Sequence, residues 1–376
     1  MSSPAAALRA KPRPAVKAAP DLTAAFAAAN ARLDIPQVKW PGAVAVSGGS
    51  DSLALMHLLC DWANARHLAA PIVLCVDHGL RENSAEDARR VVGWAKALGL
   101  AAHVLRWKGA KPKADVEAAA RAARYRLMGD WCVKHKITAL YVGHTQDDQA
   151  ETFLLRLARG SGLDGLSAMR DVAPLPLPGY EDVSVVRPLL AFSRGELKEF
   201  LSEGGHAWLD DPMNDDPGFA RVRMRQASQT LDDLGLSAAR LAQAASHLGR
   251  AREALDAARD ALLTEATRFE DGRVLLNAAV LVAAPHEISL RALAEILGHL
   301  SGAPYRPRFE RLERLFVAIC AGKLGGGRTL QGCRIAPAPK RFAVFGPATL
   351  QITPEAGTKV HQTPSKNGKL PGRNVK

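Results

Sequence analysis

The chain has 376 residues, 47% of them apolar and 23% charged, with a formal net charge of +12. That length suits two domains, and the composition excludes a wholly disordered chain or a small disulfide scaffold. No apolar run reaches the ~18–20 residues of a membrane span, and the five scattered cysteines form no CxxC, so reduced thiols in the cytoplasm are expected and a zinc ribbon is not.

Residues 1–20 are rich in Ala and Pro and carry Arg9, Lys11, Arg13 and Lys17 without an acidic side chain. They lack the continuous apolar core of a signal peptide and read as a flexible basic extension. Residues 353–376 form a similar tail, with five basic residues against Glu355. The two ends supply +8 of the +12, leaving +4 for residues 21–352. Basic ends attract a polyanion over long range, although solvated tails explain the same count.

From Ala43 onward, short β-rich runs alternate with helical stretches. Strands are predicted at Ala43–Val46, Ile72–Val76, Ala102–Leu105 and Ala139–Val142, with an apolar run at Val183–Val186. Between them lie predicted helices. Leu55, Leu58, Leu59 and Trp62 follow the spacing of one buried helix face. Ala85–Leu98 has Ser84 as its expected N-cap, and Val116–Lys134, Gln149–Leu157 and Ser193 to about Glu203 follow. Alternation of this kind implies an α/β fold with a parallel sheet covered by helices on both faces. Ligands of such sheets bind beyond the carboxyl ends of the strands. After a Pro-rich loop at Pro174–Pro178 and an Asp/Asn/Pro-dense stretch at Asp210–Gly218, the pattern becomes mostly helical. Helices are expected at Arg240–Phe269, Glu287–Leu300 and Phe309–Ala321, closed by a small β element near Arg328–Phe345.

The strongest chemical signal is Ser47-Gly48-Gly49-Ser50-Asp51-Ser52, between the first strand and a helix. The glycines permit a tight turn, the free N–H groups of the helix start point at an anion, and Ser47, Ser50 and Ser52 add hydroxyl donors. Asp51 would repel phosphate unless Mg²⁺ bridges its carboxylate to phosphate oxygens. The second signal, Gly143-His144-Thr145-Gln146-Asp147-Asp148-Gln149-Ala150-Glu151-Thr152, follows the fourth strand. It crowds Asp147, Asp148 and Glu151 at helical neighbour spacings. That is costly without a cation or an amine, though acidic residues at a helix start also serve as caps. Weaker signals are Asp77-His78-Gly79-Leu80-Arg81 after the second strand and Arg121 with Arg124 on one helix face. Arg221, Arg223 and Arg225 alternate, so an extended segment would point all three one way, toward a nucleic-acid backbone or the preceding aspartates.

Taken in order, SGGSDS, VDHGLR, ARAARY, GHTQDDQAET, VVRPLL and DPMNDD…RVRMR resemble the PP-loop (N-type) ATP pyrophosphatases over residues 43–225. Within that superfamily they are similar to the tRNA(Ile)-lysidine synthetase family in its short form, and GGGRTLQGC (Gly325–Cys333) resembles that family's second domain. Val222 stands where the family pattern more often has Asn, and the further carboxy-terminal domain of longer members is not expected.

The resemblance implies a five-stranded parallel catalytic domain over residues 21–225 and a mostly helical tRNA-binding domain over 226–352. It implies ATP and Mg²⁺, with Ser47–Ser52, Asp77, His78, Gly143 and His144 about the nucleotide and Asp51 on the metal. Catalytic roles fall to Asp51, Asp147, Asp148, Glu151 and Arg121, and tRNA contacts to Arg81, Arg121, Arg124, Arg221, Arg223 and Arg225. The implied reaction joins free L-lysine to C2 of the wobble cytidine in the CAU anticodon of tRNA(Ile). Its course is through an adenylated base, with release of pyrophosphate and then AMP. A tRNA thiolase on the same fold is the alternative, disfavoured by the lack of a CxxC and by cysteines placed within predicted elements. The oligomeric state is open, a homodimer being compatible.

Overall fold

The computed structural model describes residues 21–355 apart from 34–35, 37, 81–82, 110, 113–114, 210–223, 225–226 and 304. The chain divides into two compact units: Met1–Gly160 with Ala168–Ala245, and Ser161–Ser167 with Ser246–Lys376.

In the first unit, β1 (Ala43–Ala45), β2 (Ile72–Asp77), β3 (Ala102–Arg106), β4 (Ala139–Val142), β5 (Val172–Pro174) and β6 (Ser184–Val186) form one sheet in the order β3-β2-β1-β4-β6-β5. The five expected parallel strands are present, and β5 adds an antiparallel edge against β6. It takes up the start of the Pro-rich loop, where the missing N–H of Pro174 costs nothing at an edge. The chain builds β1-β2-β3 outward in one direction and then returns to place β4 on the other side of β1. The loops after β1 and β4 therefore diverge at a switch point, the place where such sheets bind ligands.

Helices α1 (Leu22–Ala31), α2 (Ser50–Ala65), α3 (Ser84–Ala97), α4 (Val116–Lys134), α5 (Gln146–Leu157) and α6 (Arg194–Glu203) complete this unit together with the short α7 (Ser228–Asp233). The spacing in α2 predicts one buried face, yet Ser52 through Cys60 are all buried. Leu197 and Leu201 of α6, and Phe26 of α1, join Leu55, Leu58 and Leu59 in one apolar cluster, so α2 is covered on more than one side. Each leucine so buried stabilises the unit by roughly 1.5–3 kcal/mol. Helix α3 begins at Ser84 itself, with Asn83 as N-cap and no side-chain cap bond, correcting the expected cap by one residue. Helix α5 begins three residues earlier than predicted, because Thr145 and Asp148 close a capping box.

The second unit contains the larger part of α8 (Ala238–Ala266), α9 (Ala278–Ala283), α10 (His286–Ser301) and α11 (Phe309–Cys320). Its five strands β7 (Thr267–Glu270), β8 (Arg273–Asn277), β9 (Arg328–Leu330), β10 (Cys333–Pro337) and β11 (Thr349–Pro354) form an antiparallel sheet ordered β7-β8-β11-β10-β9. The β element is thus larger than the sequence pattern implies, because strands before α9 pair with strands after α11. Gln331 and Gly332, both at positive φ, make the two-residue turn between β9 and β10, and the next residue, Cys333, is fully buried. Among the described residues no helix is long and apolar enough to cross a membrane.

Candidate active site

The loop after β1 holds itself open. Ser52 Oγ accepts from the Ser47 N–H at 3.1 Å and donates to the Gly49 carbonyl at 3.0 Å, and the Ser47 and Ser52 hydroxyls lie 3.1 Å apart. Gly49 is the N-cap of α2 without a side chain to bond the first N–H groups, which leaves them for an anion. Gly48 sits at φ +97°, and a Cβ there would come within 2.5 Å of Leu209 Cδ1. The Leu209 N–H donates to the Gly48 carbonyl at 2.9 Å, so the segment after α6 is tied to the loop. A Cβ at Gly143 would lie 3.0 Å from the Asp51 backbone, so only glycine lets the loop after β4 come this close to the loop after β1.

Four acidic residues converge on Arg194, the first residue of α6. Its Nε donates to Asp51 at 3.3 Å, Nη2 to Asp148 at 2.6 Å and Nη1 to Glu151 at 2.8 Å, while its backbone N–H donates to Asp147 at 2.9 Å. Ser193 and Glu196 close a capping box that fixes the start of α6, and the buried Leu197 and Leu201 seat the helix. Asp148 divides its oxygens: Oδ2 accepts from the Thr145 N–H and hydroxyl at 2.9 and 3.0 Å, and Oδ1 meets Arg194. The two readings of an acidic helix start, cap and cation ligand, are therefore both realised in one side chain.

The electrostatics follow from this clustering. Burial would raise the Asp148 carboxyl, but Arg194 and the Thr145 donors act against it, and its pKa is held below 3.8. Asp51 goes the other way: burial dominates, Asp148 adds repulsion, and Arg194 and Ser50 only partly offset them, so its pKa lies above 3.8. Burial works against the charged guanidinium of Arg194, but the three carboxylates outweigh it and raise its pKa above the usual arginine value.

Asp51 fits a magnesium ligand in chemistry. It offers a hard carboxylate oxygen, 23% exposed, beside the uncapped N–H groups at the start of α2, and burial raises its pKa more than Arg194 at 3.3 Å offsets. Mg²⁺ is ordinarily held by one or two carboxylates together with substrate phosphates. Among the described residues no three His, Cys, Asp or Glu side chains form a cage of their own.

Of the remaining predicted residues, Asp77 ends β2, His78 follows it, and Arg121 and Arg124 lie on α4. Asp77 Oδ1 accepts from the Gly79 N–H at 3.0 Å, a local turn. His78 packs edge-on to Trp107, and its buried Nδ1 has no partner among the described residues. Burial first, then Arg124, lower its pKa. Arg121 and Arg124 stack against the ring of the buried Tyr125, at 5.1 and 5.6 Å. Arg81, Arg221, Arg223 and Arg225 lie outside the described residues.

Two residues were not singled out by sequence reasoning. Arg194 carried a signal, since a cation at a helix N-terminus opposes the dipole unless acids surround it. Arg187 carried another, as a charge inside the apolar run VSVVRPLL. It is 7% exposed, and its Nε donates to His144 Nδ1 at 3.2 Å.

An open glycine-serine loop at a parallel-sheet switch point, faced by acids from the next crossover, defines a PP-loop protein, and the PP-loop domain family matches residues 26–230. Over 300 residues the chain is 40% identical to tRNA(Ile)-lysidine synthase of Ruegeria pomeroyi, covering 77% of this chain and 70% of that one. The enzyme of the same name from Methylobacterium nodulans is 41% identical over 287 residues (74% and 82%), and that from Wolbachia pipientis 36% over 295 (78% and 67%). The chain belongs to the tRNA(Ile)-lysidine synthase family.

Proposed function

We propose that this protein ligates free L-lysine to C2 of the wobble cytidine in the CAU anticodon of tRNA(Ile), converting ATP to AMP and pyrophosphate. The observation that carries the reading is the convergence of Asp51, Asp148 and Glu151 on one guanidinium beside an open phosphate cradle. Such a site has places for both an anionic triphosphate and a cationic amine.

In this scheme the Ser47–Ser52 loop holds the pyrophosphate with the uncapped N–H groups at the start of α2, the Ser47, Ser50 and Ser52 hydroxyls being engaged with Ser52, Asp51 and the Gly49 carbonyl. Asp51 would hold Mg²⁺, whose charge offsets that of the phosphates when bound. The cytidine C2 oxygen attacks the α-phosphate and pyrophosphate leaves. The lysine ε-amine then attacks C2, AMP leaves, and the amine gives up its proton. An amine with a pKa near ~10.4 needs that proton removed, and Asp147, Asp148 and Glu151 supply the carboxylates. Asp148, held anionic, suits the anchoring of the ammonium group better than the acceptance of its proton. Arg121 and Arg124 on α4 suit the nucleotide or anticodon phosphates. The wobble base lies in a single-stranded loop, so exposing it costs only a few kcal/mol.

Sulfur insertion is disfavoured by the cysteines. Cys60, Cys75 and Cys132 are buried in α2, β2 and α4. Burial pushes the thiols of Cys75 and Cys132 up to about 12, far from the reactive thiolate.

The test is incubation of the protein with ATP, labelled lysine and tRNA(Ile), followed by nucleoside mass analysis. The expected product carries one lysine on cytidine with one pyrophosphate released. Sulfur in the nucleoside, or pyrophosphate release indifferent to tRNA, would overturn the reading.

A further inference from the structure

Arg187 follows the last residue of β6 and is sequestered. Its backbone N–H donates to the Asp171 carbonyl at 2.8 Å, its Nη1 to the Arg170 carbonyl at 2.8 Å, and its Nε to His144 Nδ1 at 3.2 Å. A further hydrogen bond joins it to Tyr125, which is 1% exposed. A guanidinium has donors only, so the nitrogen it meets on His144 must present a lone pair. A neutral imidazole carries a single ring proton, which then resides on Nε2. His144 itself is half-buried, and among the described residues the hydrogen bond shown for its ring is the one from Arg187.

We infer that Arg187 is a positioning residue that locks His144 as the neutral Nε2–H tautomer, a fixed uncharged donor at the mouth of the loop after β4. Its ligand is an oxygen that gains negative charge during the reaction, the phosphoryl or leaving nucleotide oxygen of the substrate. A second consequence is that His144 is not the base for the amine: its one lone pair is already engaged by Arg187, which leaves proton removal to the carboxylates.

The charged groups around the ring agree. Burial, then Arg187, hold the His144 pKa down to about 3; Arg121 and Arg124 act in the same sense, and Asp148 opposes them. The ring thus stays neutral throughout the range in which a free histidine titrates.

The test uses the full-length protein with ¹⁵N-labelled histidine, the His144 signals being assigned by their loss in His144→Gln. The expected spectrum shows a protonated Nε2 and an unprotonated Nδ1, unmoved from about pH 5 to 8. Arg187→Met should release the ring to titrate or to mix tautomers, and Arg187→Lys should restore the single form. In pyrophosphate release, His144→Asn, which lacks a donor at the ε position, should lose about 10²–10³ in rate, whereas His144→Gln, which keeps one, should lose about tenfold less. A ring protonated at Nδ1, a cationic ring near neutral pH, or an Asn variant faster than the Gln variant would each sink the assignment. If Arg187→Met fails to fold, the wild-type spectrum and the two His144 variants still decide. The rate arm rests on the adenylation reading above. The spectroscopic arm needs no substrate, so the two can fail separately.

Discussion

Arg194 is the residue on which the acidic cluster depends, and Arg194→Met isolates its charge while keeping most of its stem. The bonds to Asp148 and Glu151 are short, 2.6 and 2.8 Å, and these carboxylates are 16% and 7% exposed. The contact with Asp51 is longer, 3.3 Å, and more open at 23%. Breaking a buried ion pair costs ~3–5 kcal/mol, because the partner charge stays buried. The partial exposure here places the expected loss at the lower end, about 3 kcal/mol. At ~2–4 °C per kcal/mol for a unit of this size, the N-terminal unfolding transition should fall by about 6–12 °C.

The pH dependence gives a sharper check. A carboxylate whose folded pKa is depressed contributes stability that is present above its unfolded pKa and lost as pH falls through the folded one. For Asp148 that loss begins near 3.8 and runs below it. In the variant Asp148 remains buried without its main opposing charge, so its pKa rises and the ionic contribution is already gone at neutral pH. The gap between the two proteins should therefore be widest near pH 7 and shrink as both approach the carboxylate range. Scanning calorimetry over a pH series measures it. A gap of equal size at pH 7 and at about pH 3, inside that window, would show that the lost stem packing, not the charge, accounts for the effect.

Three further outcomes are expected. Asp51→Asn should cut lysine-dependent pyrophosphate release by 10²–10³, about 3–4 kcal/mol in the barrier. Because burial raises the Asp51 pKa, its charge opposes folding at neutral pH, so the melting temperature should not fall; near-normal turnover would remove Asp51 from the mechanism. Gly48→Ala introduces a Cβ at φ +97° and 2.5 Å from Leu209, a strain of more than ~1 kcal/mol. It should weaken ATP binding in a calorimetric titration, and unchanged affinity would mean that the triphosphate lies elsewhere. Trimming residues 1–20 and 356–376 should weaken tRNA binding mainly at low salt and flatten its salt slope, whereas identical slopes would make the ends inert. The second cut starts at 356 because β11 extends through Pro354.

Much of this protein is legible in its local sequence. The four strand-helix alternations, the glycines of the loop after β1 and the acidic run after β4 each depend on residues within a few positions of one another. Backbone conformation, helix starts and face periodicity are short-range matters. For that reason Val116–Lys134 and Ala139–Val142 have the predicted bounds. Local pattern also placed both acidic and phosphate motifs at carboxyl ends of parallel strands, which was enough to point to their chemistry.

What the pattern could not supply is which charges meet. Arg194 lies 143 residues from Asp51 and 43 from Glu151, and Arg187 lies 43 from His144. These pairings exist only because α6 buries Leu197 and Leu201 against α2 and because β6 pairs with β4. The β7–β8 hairpin joins β11 across more than 70 residues for the same kind of reason. Sequence determined the groups and their local posture. Tertiary packing decided that three carboxylates share one guanidinium and that His144 presents a particular nitrogen, because electrostatic and hydrogen-bond partners are set by distance in space, which periodicity along the chain does not encode.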